Sequence, residues 1–333
     1  MILKTEILGD PMPDKSISIK LLDPRVGFLC SEIKVEYRRN PFLPFYTRIN
    51  IERSKRPKQV SLSDSHCPFC EIDRMAPKYQ AEICREGRIK VGGAVIFPNL
   101  FPFGRYHSVI VMTDRHELSL AEFEQRHFYE GLKAALELYK RVKNGYIVLG
   151  MNYLQPAGAS IVHPHMQISI EEEPPFLLLA EKERSLSYFS SSGSSIWSDY
   201  IKSEVKGPRF IGESDGFVWI ASYAPLAENE VIGICRNEKS SLMSLSDSEL
   251  KGISEGLTRV LRGFHSIGIK SFSMALHSWP EDSPDFSLHV HVASRPNPSG
   301  LYCSDRGFLE LFFGEIAVGT SPEMLAEHMR SSW

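Results

Sequence analysis

The sequence predicts an α+β fold in which one structural unit occurs twice, with antiparallel sheets and helices packed on one face. Three observations lead to this prediction. A strand, a capped helix and two further strands follow one another in the same order in both halves of the chain. A His-x-His pair lies in the last strand of each copy, and a serine-rich, loop-like stretch at 185–198 separates the copies. The 333 residues are enough for two such units.

Hydrophobic spacing and capping signals locate the repeated elements. One offset superposes both histidine pairs, since His165 falls on His291 and His163 falls on His289. Chance similarity between two α+β halves is the alternative to duplication. In the order strand, capping box, strand and strand, the first copy has 107–112, 119–122, 146–151 and 162–170, and the second has 229–234, 246–249, 272–276 and 288–293. The predicted regions are an N-terminal extension at 1–45, a catalytic first repeat at 46–175, a linker at 176–210 and a second repeat at 211–333.

Charge and composition exclude several classes of function. The net charge of −3 gives no overall positive field for nucleic acid, so any anionic ligand must be held by local groups. No apolar run approaches the ~20 residues that cross a bilayer, and the N-terminus lacks the layout of a signal peptide. We therefore expect a cytoplasmic protein without nucleic-acid or membrane partners.

His163 and His165 lie two positions apart in a predicted strand, so their side chains point to the same face. An isolated pair of this kind is more often an exposed polar face or a pair of buried histidines. Two features favour chemistry here: Gln167 extends the polar row, and the small residues at 155–160 let a ligand approach the backbone. Since neutral imidazole attacks phosphorus, His165 is the candidate nucleophile.

Neighbouring polar groups can bind the phosphate that such a nucleophile attacks. The amide of Gln167 can donate hydrogen bonds to the non-bridging oxygens as charge develops on them. Ser160 and Asn152 can donate to the same phosphate. Because the second copy has Ala293 at the position of Gln167, we assign the chemistry to the first repeat.

Cys67 and Cys70 form a CxxC motif, which in a cytoplasmic protein suggests metal or redox chemistry more than a disulfide. Zinc prefers four tetrahedral ligands, and the sequence has no second CxxC. His116 and His163 are therefore the candidates that complete a Cys2His2 zinc site, with His66 as an alternative ligand. A CxxC motif with neither metal nor redox function is the simpler reading.

A second metal site can be formed in the second repeat. His277, His289 and His291 offer three imidazoles, and Glu181 or Glu183 offers a carboxylate. Such a ligand set suits zinc or ferrous iron.

Four cations lie within residues 51–58. A short charged run is usually a solvated loop, but guanidinium groups also bind phosphate through two hydrogen bonds. Arg53 and Arg56 are therefore candidate phosphate ligands. Asn99 begins another loop, in which the ring of Phe101 can stack on a nucleobase.

Together these features resemble the galactose-1-phosphate uridylyltransferase family of the histidine-triad superfamily, over residues 46–330. The most specific part is Gly158-Ala-Ser160 followed by His163-Pro-His165-Met-Gln167. The resemblance implies two histidine-triad-like repeats, usually in a homodimer. It also implies that His165 takes the nucleotidyl group and that Gln167 steadies the intermediate.

The same resemblance implies ligands for substrate and metal. Arg53 and Arg56 match the family's basic phosphate-binding stretch, and Asn99 and Phe101 match its base-binding loop. The family's zinc ligands match Cys67, Cys70, His116 and His163, and a second zinc or iron site in some members matches Glu181, His277, His289 and His291.

The C-terminal segment departs from the family pattern. It keeps Glu315, but small residues replace the polar partner expected after it, and a basic residue expected before it is missing. The leading expectation is ping-pong transfer of UMP from UDP-glucose to a hexose 1-phosphate. Related enzymes transfer AMP from ADP-glucose, dinucleoside polyphosphates or adenylyl sulfate, several of them to phosphate, and they are an alternative.

Two further alternatives differ in the chemistry they require. A nucleotide hydrolase would use water as the acceptor, and Gln167 in place of a third histidine argues against it. A zinc-stabilised nucleotide-binding protein without catalysis need not retain the complete segment from His163 to Gln167, so the intact segment argues against that alternative as well.

Overall fold

The computed structural model describes residues 15–39, 46–55, 67–143, 145–299, 316 and 318–333. Three residues of the sequence analysis lie outside these ranges, namely Arg56, His66 and Glu315. The strands are β1 Lys15–Asp23, β2 Leu29–Arg39, β3 Tyr46–Ile49, β4 Ile89–Val91, β5 Ala94–Pro98, β6 Ser108–Val111, β7 Tyr146–Tyr153, β8 His165–Glu171, β9 Phe210–Ser214, β10 Phe217–Ala221, β11 Val231–Cys235, β12 Ser271–His277 and β13 His289–Arg295. The α-helices are α1 Ile72–Met75, α2 Gln125–Val142, α3 Phe176–Ser192, α4 Ile196–Glu204, α5 Asp247–Ser266 and α6 Pro322–Arg330.

Ten strands form one antiparallel sheet in the order β4-β5-β6-β8-β7-β12-β13-β11-β10-β9. The two halves of this order mirror each other about the β7–β12 pair, as expected for two copies related by a pseudo-twofold axis. Helices α2, α5 and α6 pack on one face of the sheet and share one apolar core with it. The predicted α+β fold with duplicated units is therefore confirmed.

The two capping boxes behave differently. Ser246 and Glu249 cap each other at the start of α5, as the sequence predicts. Ser119 and Glu122 form a capping box as well, but it encloses a short 3-10 turn, and α2 begins only at Gln125. The prediction that this first box opens the helix is wrong, because the chain turns once more before the helix starts.

The serine-rich region is helical rather than loop-like, since α3 and α4 occupy most of residues 176–204. Helix α4 packs its Ile201 against Val218 and Ile232, on the sheet face opposite to α5. The region between the copies therefore covers the second face of the second half-sheet. No helix in the described ranges has the length and apolar character needed to cross a membrane.

Strands β1, β2 and β3 form a separate three-stranded antiparallel sheet. Its contact with the main sheet centres on the buried carboxylate of Glu171, at the end of β8. That carboxylate accepts hydrogen bonds from the Tyr37 hydroxyl (3.1 Å) and the Arg48 guanidinium (2.8 Å). An unpaired buried carboxylate would be strongly destabilising, so these bonds fix the small sheet against β8.

We expect Gly150→Ala to destabilise the junction between the two halves. Gly150 pairs with Ala275 across β7 and β12, and a Cβ atom at Gly150 would lie only 2.6 Å from the carbonyl oxygen of Met274. The strands would have to separate, which should lower the free energy of unfolding by about 1–3 kcal/mol in a urea titration. Gly319→Ala is the matched control, because the nearest atom to its Cβ is 3.9 Å away. Equal stability of both variants would contradict the prediction.

Candidate active site and metal centres

Cys67, Cys70, His116 and His163 come together in space, with one potential ligand atom from each lying within 4.8 Å of the others. The Cys70 sulfur lies 3.4 Å from Nδ1 of His116 and 3.4 Å from Nδ1 of His163, and the Cys67 sulfur lies 3.8 Å from Nδ1 of His163. A tetrahedral zinc ion bonded to sulfur and nitrogen separates such atoms by about 3.5 Å. These four residues therefore form a candidate metal site whose dimensions fit zinc.

The hydrogen bonds around His163 favour its role as a ligand. Its Nε2 lies 2.7 Å from the carbonyl oxygen of Thr113. Since a carbonyl can only accept, Nε2 carries the proton and Nδ1 presents its lone pair to the two sulfurs. A metal-binding histidine ordinarily has its other nitrogen fixed in this way.

His165 lies at the start of β8 and is almost completely buried. Its Nδ1 donates a hydrogen bond to the main-chain carbonyl oxygen of His163 at 2.7 Å. This bond places the proton on Nδ1 and leaves Nε2 as the nitrogen with the lone pair. The ring of Phe69, between the two cysteines, packs edge-on against the His165 imidazole with 5.0 Å between centroids. Phe69 thus links the candidate metal site to the candidate nucleophile.

The side chain of Gln167 is oriented by His107, a residue that the sequence analysis placed in a strand without a function. His107 Nδ1 accepts a hydrogen bond from the main-chain N–H of Phe103 (3.1 Å), so its Nε2 is a donor. That nitrogen lies 3.0 Å from Oε1 of Gln167. The amide of Asn99 approaches the same oxygen at 3.5 Å. With Oε1 held by these donors, the NH2 group of Gln167 is directed away from His107.

A cavity of about 740 Å³ adjoins His165 and Gln167. Its size is within the range of small-molecule sites. Five of the residues proposed from the sequence line this cavity, namely Asn99, Phe101, Ser160, His165 and Gln167. Two residues of the turn between β1 and β2 also line it, Pro24 and Arg25.

Two other residues proposed from the sequence are not among those that line this cavity. Arg53 is close to it, because its guanidinium donates to the carbonyl oxygen of Phe101 at 2.7 Å. Asn152 uses its side-chain oxygen to accept a hydrogen bond from the Ser273 hydroxyl at 2.9 Å, across the junction of the two halves. The amide nitrogen of Asn152 lies near Gly158, in the loop that precedes His163.

The second proposed cluster also comes together, again with its ligand atoms within 4.8 Å of one another. Glu181 reaches it from α3 and accepts a hydrogen bond from Nδ1 of His277 at 2.6 Å. Glu183, the other carboxylate considered, is exposed. The Nε2 atoms of His289 and His291 are buried and make no hydrogen bond within the described residues. These nitrogens lie 3.4 and 4.0 Å from the oxygens of the Glu181 carboxylate, which are separations that ligands of one metal ion can have.

The surroundings of this cluster keep the His289 imidazole neutral and orient the rings of His289 and His291. Burial lowers the pKa of His289 to about 4. The ring of Trp197 stacks on His289 with 4.1 Å between centroids. His291 donates from Nδ1 to the buried carboxylate of Glu230 at 2.8 Å, which turns its Nε2 toward the cluster. Glu230 was not identified from the sequence, where only its place at the start of a strand was visible.

Comparison with known proteins gives similarities along most of the chain. No family model matches the sequence. An uncharacterised protein of Archaeoglobus fulgidus is 30% identical over 317 residues, which cover 92% of this chain and 95% of that protein. The galactose-1-phosphate uridylyltransferase of Schizosaccharomyces pombe is 25% identical over 174 residues, so that the match spans 50% of this chain and 47% of the enzyme.

Solved structures show the same fold over a longer range. A uridylyltransferase superposes with a TM-score of 0.71 at 21% identity, covering 89% of this chain and 97% of its own. An ADP-glucose phosphorylase from Arabidopsis thaliana, solved with bound ADP-glucose, superposes with a TM-score of 0.65 at 20% identity and covers 89% of this chain and 98% of its own.

We expect His163→Ala to remove the metal of the Cys67 cluster and to destabilise the protein together with it. Metal binding contributes directly to folding when the ligands come from distant segments. Elemental analysis of the purified protein should show the loss of a single metal equivalent, and the melting temperature should fall by about 5 °C or more. His328→Ala, at an exposed histidine of α6, is the control. Full zinc content with unchanged melting would refute the assignment.

Proposed function

Because the chain belongs to the galactose-1-phosphate uridylyltransferase family, a family of nucleotidylyltransferases in the histidine-triad superfamily, we propose that it transfers a nucleoside monophosphate through a covalent bond to His165. The observation that carries this proposal is the hydrogen bond from Nδ1 of His165 to the carbonyl of His163. It selects the tautomer whose Nε2 can attack phosphorus, in a residue that lines a cavity of suitable size.

In the first step the Nε2 lone pair attacks the α-phosphorus of a nucleotide donor. A phosphorus–nitrogen bond forms, and the bond to the bridging oxygen breaks as the leaving phosphate departs with the electron pair. The imidazole then carries a positive charge, because Nδ1 retains its proton. The carbonyl oxygen of His163, 2.7 Å from Nδ1, stabilises that charge, so no base is needed to remove the proton.

Charge also develops on the phosphorus oxygens, and three kinds of donor are available for it. The NH2 group of Gln167 is available because His107 and Asn99 hold the amide oxygen. Ser160 lines the same cavity and offers its hydroxyl. Arg53 and Arg56 are proposed as further phosphate ligands on the strength of the family pattern. Asn152 is proposed because its amide nitrogen lies near Gly158, in the loop before His163.

In the second step an acceptor phosphate attacks the nucleotidyl group and displaces Nε2 of His165. A phosphate oxygen is already anionic, so this step also needs no general base. The neutral imidazole returns in its original tautomer and the cycle is ping-pong. Water is a poorer acceptor in such a site, since no third histidine stands at position 167 to activate it.

The metal ligands support this chemistry from outside the cavity. A zinc ion held by Cys67, Cys70, His116 and His163 would fix the backbone that carries the carbonyl partner of His165. In the second half, Glu181, His277, His289 and His291 would hold zinc or iron. We assign both ions a structural contribution.

The preferred donor and acceptor are UDP-glucose and a hexose 1-phosphate, and the homodimer of the family is the proposed assembly. The alternative is an adenylyl transfer in which phosphate can serve as acceptor. It is favoured by the departure of the segment around Glu315 from the hexose-binding pattern of the family.

We expect the purified protein to form a nucleotidyl adduct that depends on His165. Brief incubation with UDP-glucose, ADP-glucose or adenylyl sulfate, followed by intact mass spectrometry at neutral to mildly alkaline pH, should show added UMP or AMP and so name the base. His165→Gly should form no adduct and lose about a thousandfold or more in turnover while it keeps its melting temperature. His328→Ala should behave like the native chain. Retained turnover in His165→Gly would exclude the mechanism.

We expect His107→Leu to lower kcat by about tenfold or more with a smaller change in KM, since the freed Gln167 amide can present its oxygen to the phosphate. His107→Gln should recover much of the loss, because its amide N–H can replace Nε2–H. A purely structural role for His107 would lower the stability of both variants without this separation of kcat from KM. Steady-state kinetics and thermal melting of the two variants distinguish these outcomes.

A further inference from the structure

The lining of the cavity beside His165 includes a part of the chain with no function in the proposed mechanism. Strands β1 and β2 form a hairpin whose paired residues run from Lys15 with Tyr37 to Asp23 with Leu29. The turn that joins them, residues 24–28, is named the hairpin tip. Its first two residues, Pro24 and Arg25, line the cavity together with His165 and Gln167.

The hairpin tip has a defined shape. The Asp23 carboxylate accepts a hydrogen bond from the main-chain N–H of Arg25 at 2.8 Å, and the Asp23 carbonyl accepts one from Phe28 at 2.8 Å. Gly27 has a φ of +68°, in the left-handed region that glycine adopts without strain. The turn is therefore built from local hydrogen bonds rather than held only by its neighbours.

Hydrogen bonds and a cation–π contact also connect the hairpin to the segment that follows Cys67 and Cys70. Leu22 and Lys78 exchange two main-chain hydrogen bonds of 3.0 and 3.1 Å. The Lys78 ammonium lies over the ring of Phe28, 4.4 Å from its centroid. Together with the contacts at Glu171, these bonds hold the hairpin at both of its ends.

Within the hairpin tip, the guanidinium of Arg25 is oriented before any ligand binds. Its Nε and Nη2 donate to the buried carboxylate of Asp23 at 3.0 and 2.7 Å. Its planar group lies over the ring of Phe101, 5.5 Å from the centroid. These contacts leave the donors of Nη1 for solvent or a ligand. A planar guanidinium fixed in this way loses little freedom when it binds.

Arg25 differs from the other cations around the cavity in its exposure and in its partner. The described lining residues include three cations, Arg25, Lys55 and Arg74, and no carboxylate. The side chains of Lys55 and Arg74 are 64% and 70% exposed and pair with carboxylates on the surface. Arg25 is 44% exposed and pairs with a carboxylate that is 3% exposed. Among these three lining cations, Arg25 is therefore the one that a buried carboxylate orients.

We propose that the hairpin tip forms one wall of the nucleobase subsite and that Arg25 binds the base of the donor. Its guanidinium, held over the Phe101 ring and paired with Asp23 on its other edge, donates in its own plane from Nη1 to a carbonyl oxygen or ring nitrogen on the edge of the base. This inference rests on the proposed function, because it takes the cavity beside His165 as the nucleotide site.

The test is equilibrium binding of UMP and AMP, which react with neither the native chain nor its variants. Arg25→Ala should weaken the binding of the preferred monophosphate about tenfold. The corresponding nucleoside diphosphate glucose should lose affinity by the same factor, measured in His165→Gly so that no turnover occurs. Arg25→Lys, which keeps the charge but not the planar group, should recover only part of the affinity and controls for folding. Arg38→Ala, at an exposed arginine of β2, is the matched control and should bind like the native chain.

The outcomes separate this inference from the proposed function. A loss confined to the sugar nucleotide would overturn the assignment of Arg25 to the base and place it near the leaving group. Unchanged affinity for both ligands in a folded Arg25→Ala would overturn any role in binding, while the adduct at His165 would still support the transferase. If the native chain bound neither monophosphate, the nucleotide site and this inference would fail together.

Discussion

His163 serves two parts of the molecule at once, and the proposed chemistry depends on this. Its imidazole Nδ1 faces the sulfurs of Cys67 and Cys70, and its main-chain carbonyl accepts a hydrogen bond from Nδ1 of His165. Any movement of the segment before β8 therefore changes the candidate metal site and the candidate nucleophile together. Because Phe69 packs on His165, the segment from Cys67 to Cys70 also contacts the candidate nucleophile directly. A metal ion in this cluster would act on the reaction through rigidity, by keeping one carbonyl oxygen in line with one imidazole nitrogen.

The duplication explains why a second cluster of histidines exists and why it differs from the first. In both halves the second histidine of a His-x-His pair lies in a strand next to a central strand of the sheet, so the copy inherits a polar row on one face. In the first half Gln167 ends that row beside an open cavity. In the second half Ala293 takes its place, Trp197 covers His289, and α3 brings Glu181 into the cluster. The helices between the copies thus convert the second row from an open site into a closed one.

The parts of this arrangement that the sequence could predict are those set by short spacing. The side-chain period of a strand places His165 and Gln167 on one face, a CxxC motif brings two sulfurs together, and helical periodicity identifies α2 and α5. The predicted strand does not reach His163, because β8 begins only at His165. Residues whose role depends on the packing of distant segments could not be found in this way. His107 meets Gln167 only because β6 pairs with β8, and Glu230 meets His291 only because β11 pairs with β13.

Packing also determines the position of the N-terminal region, which sequence patterns predicted only as an extension without a role. Asp23-Pro24-Arg25 is an ordinary turn sequence, and nothing in it points to a ligand. Its position over Phe101 follows from the pairing of Leu22 with Lys78, more than fifty residues away. The Asp23 carboxylate cancels much of the charge of Arg25, so the hairpin contributes orientation more than positive charge. Asp23 holds the guanidinium on one edge while the other edge stays available to the cavity, which suits a hydrogen bond to a neutral base.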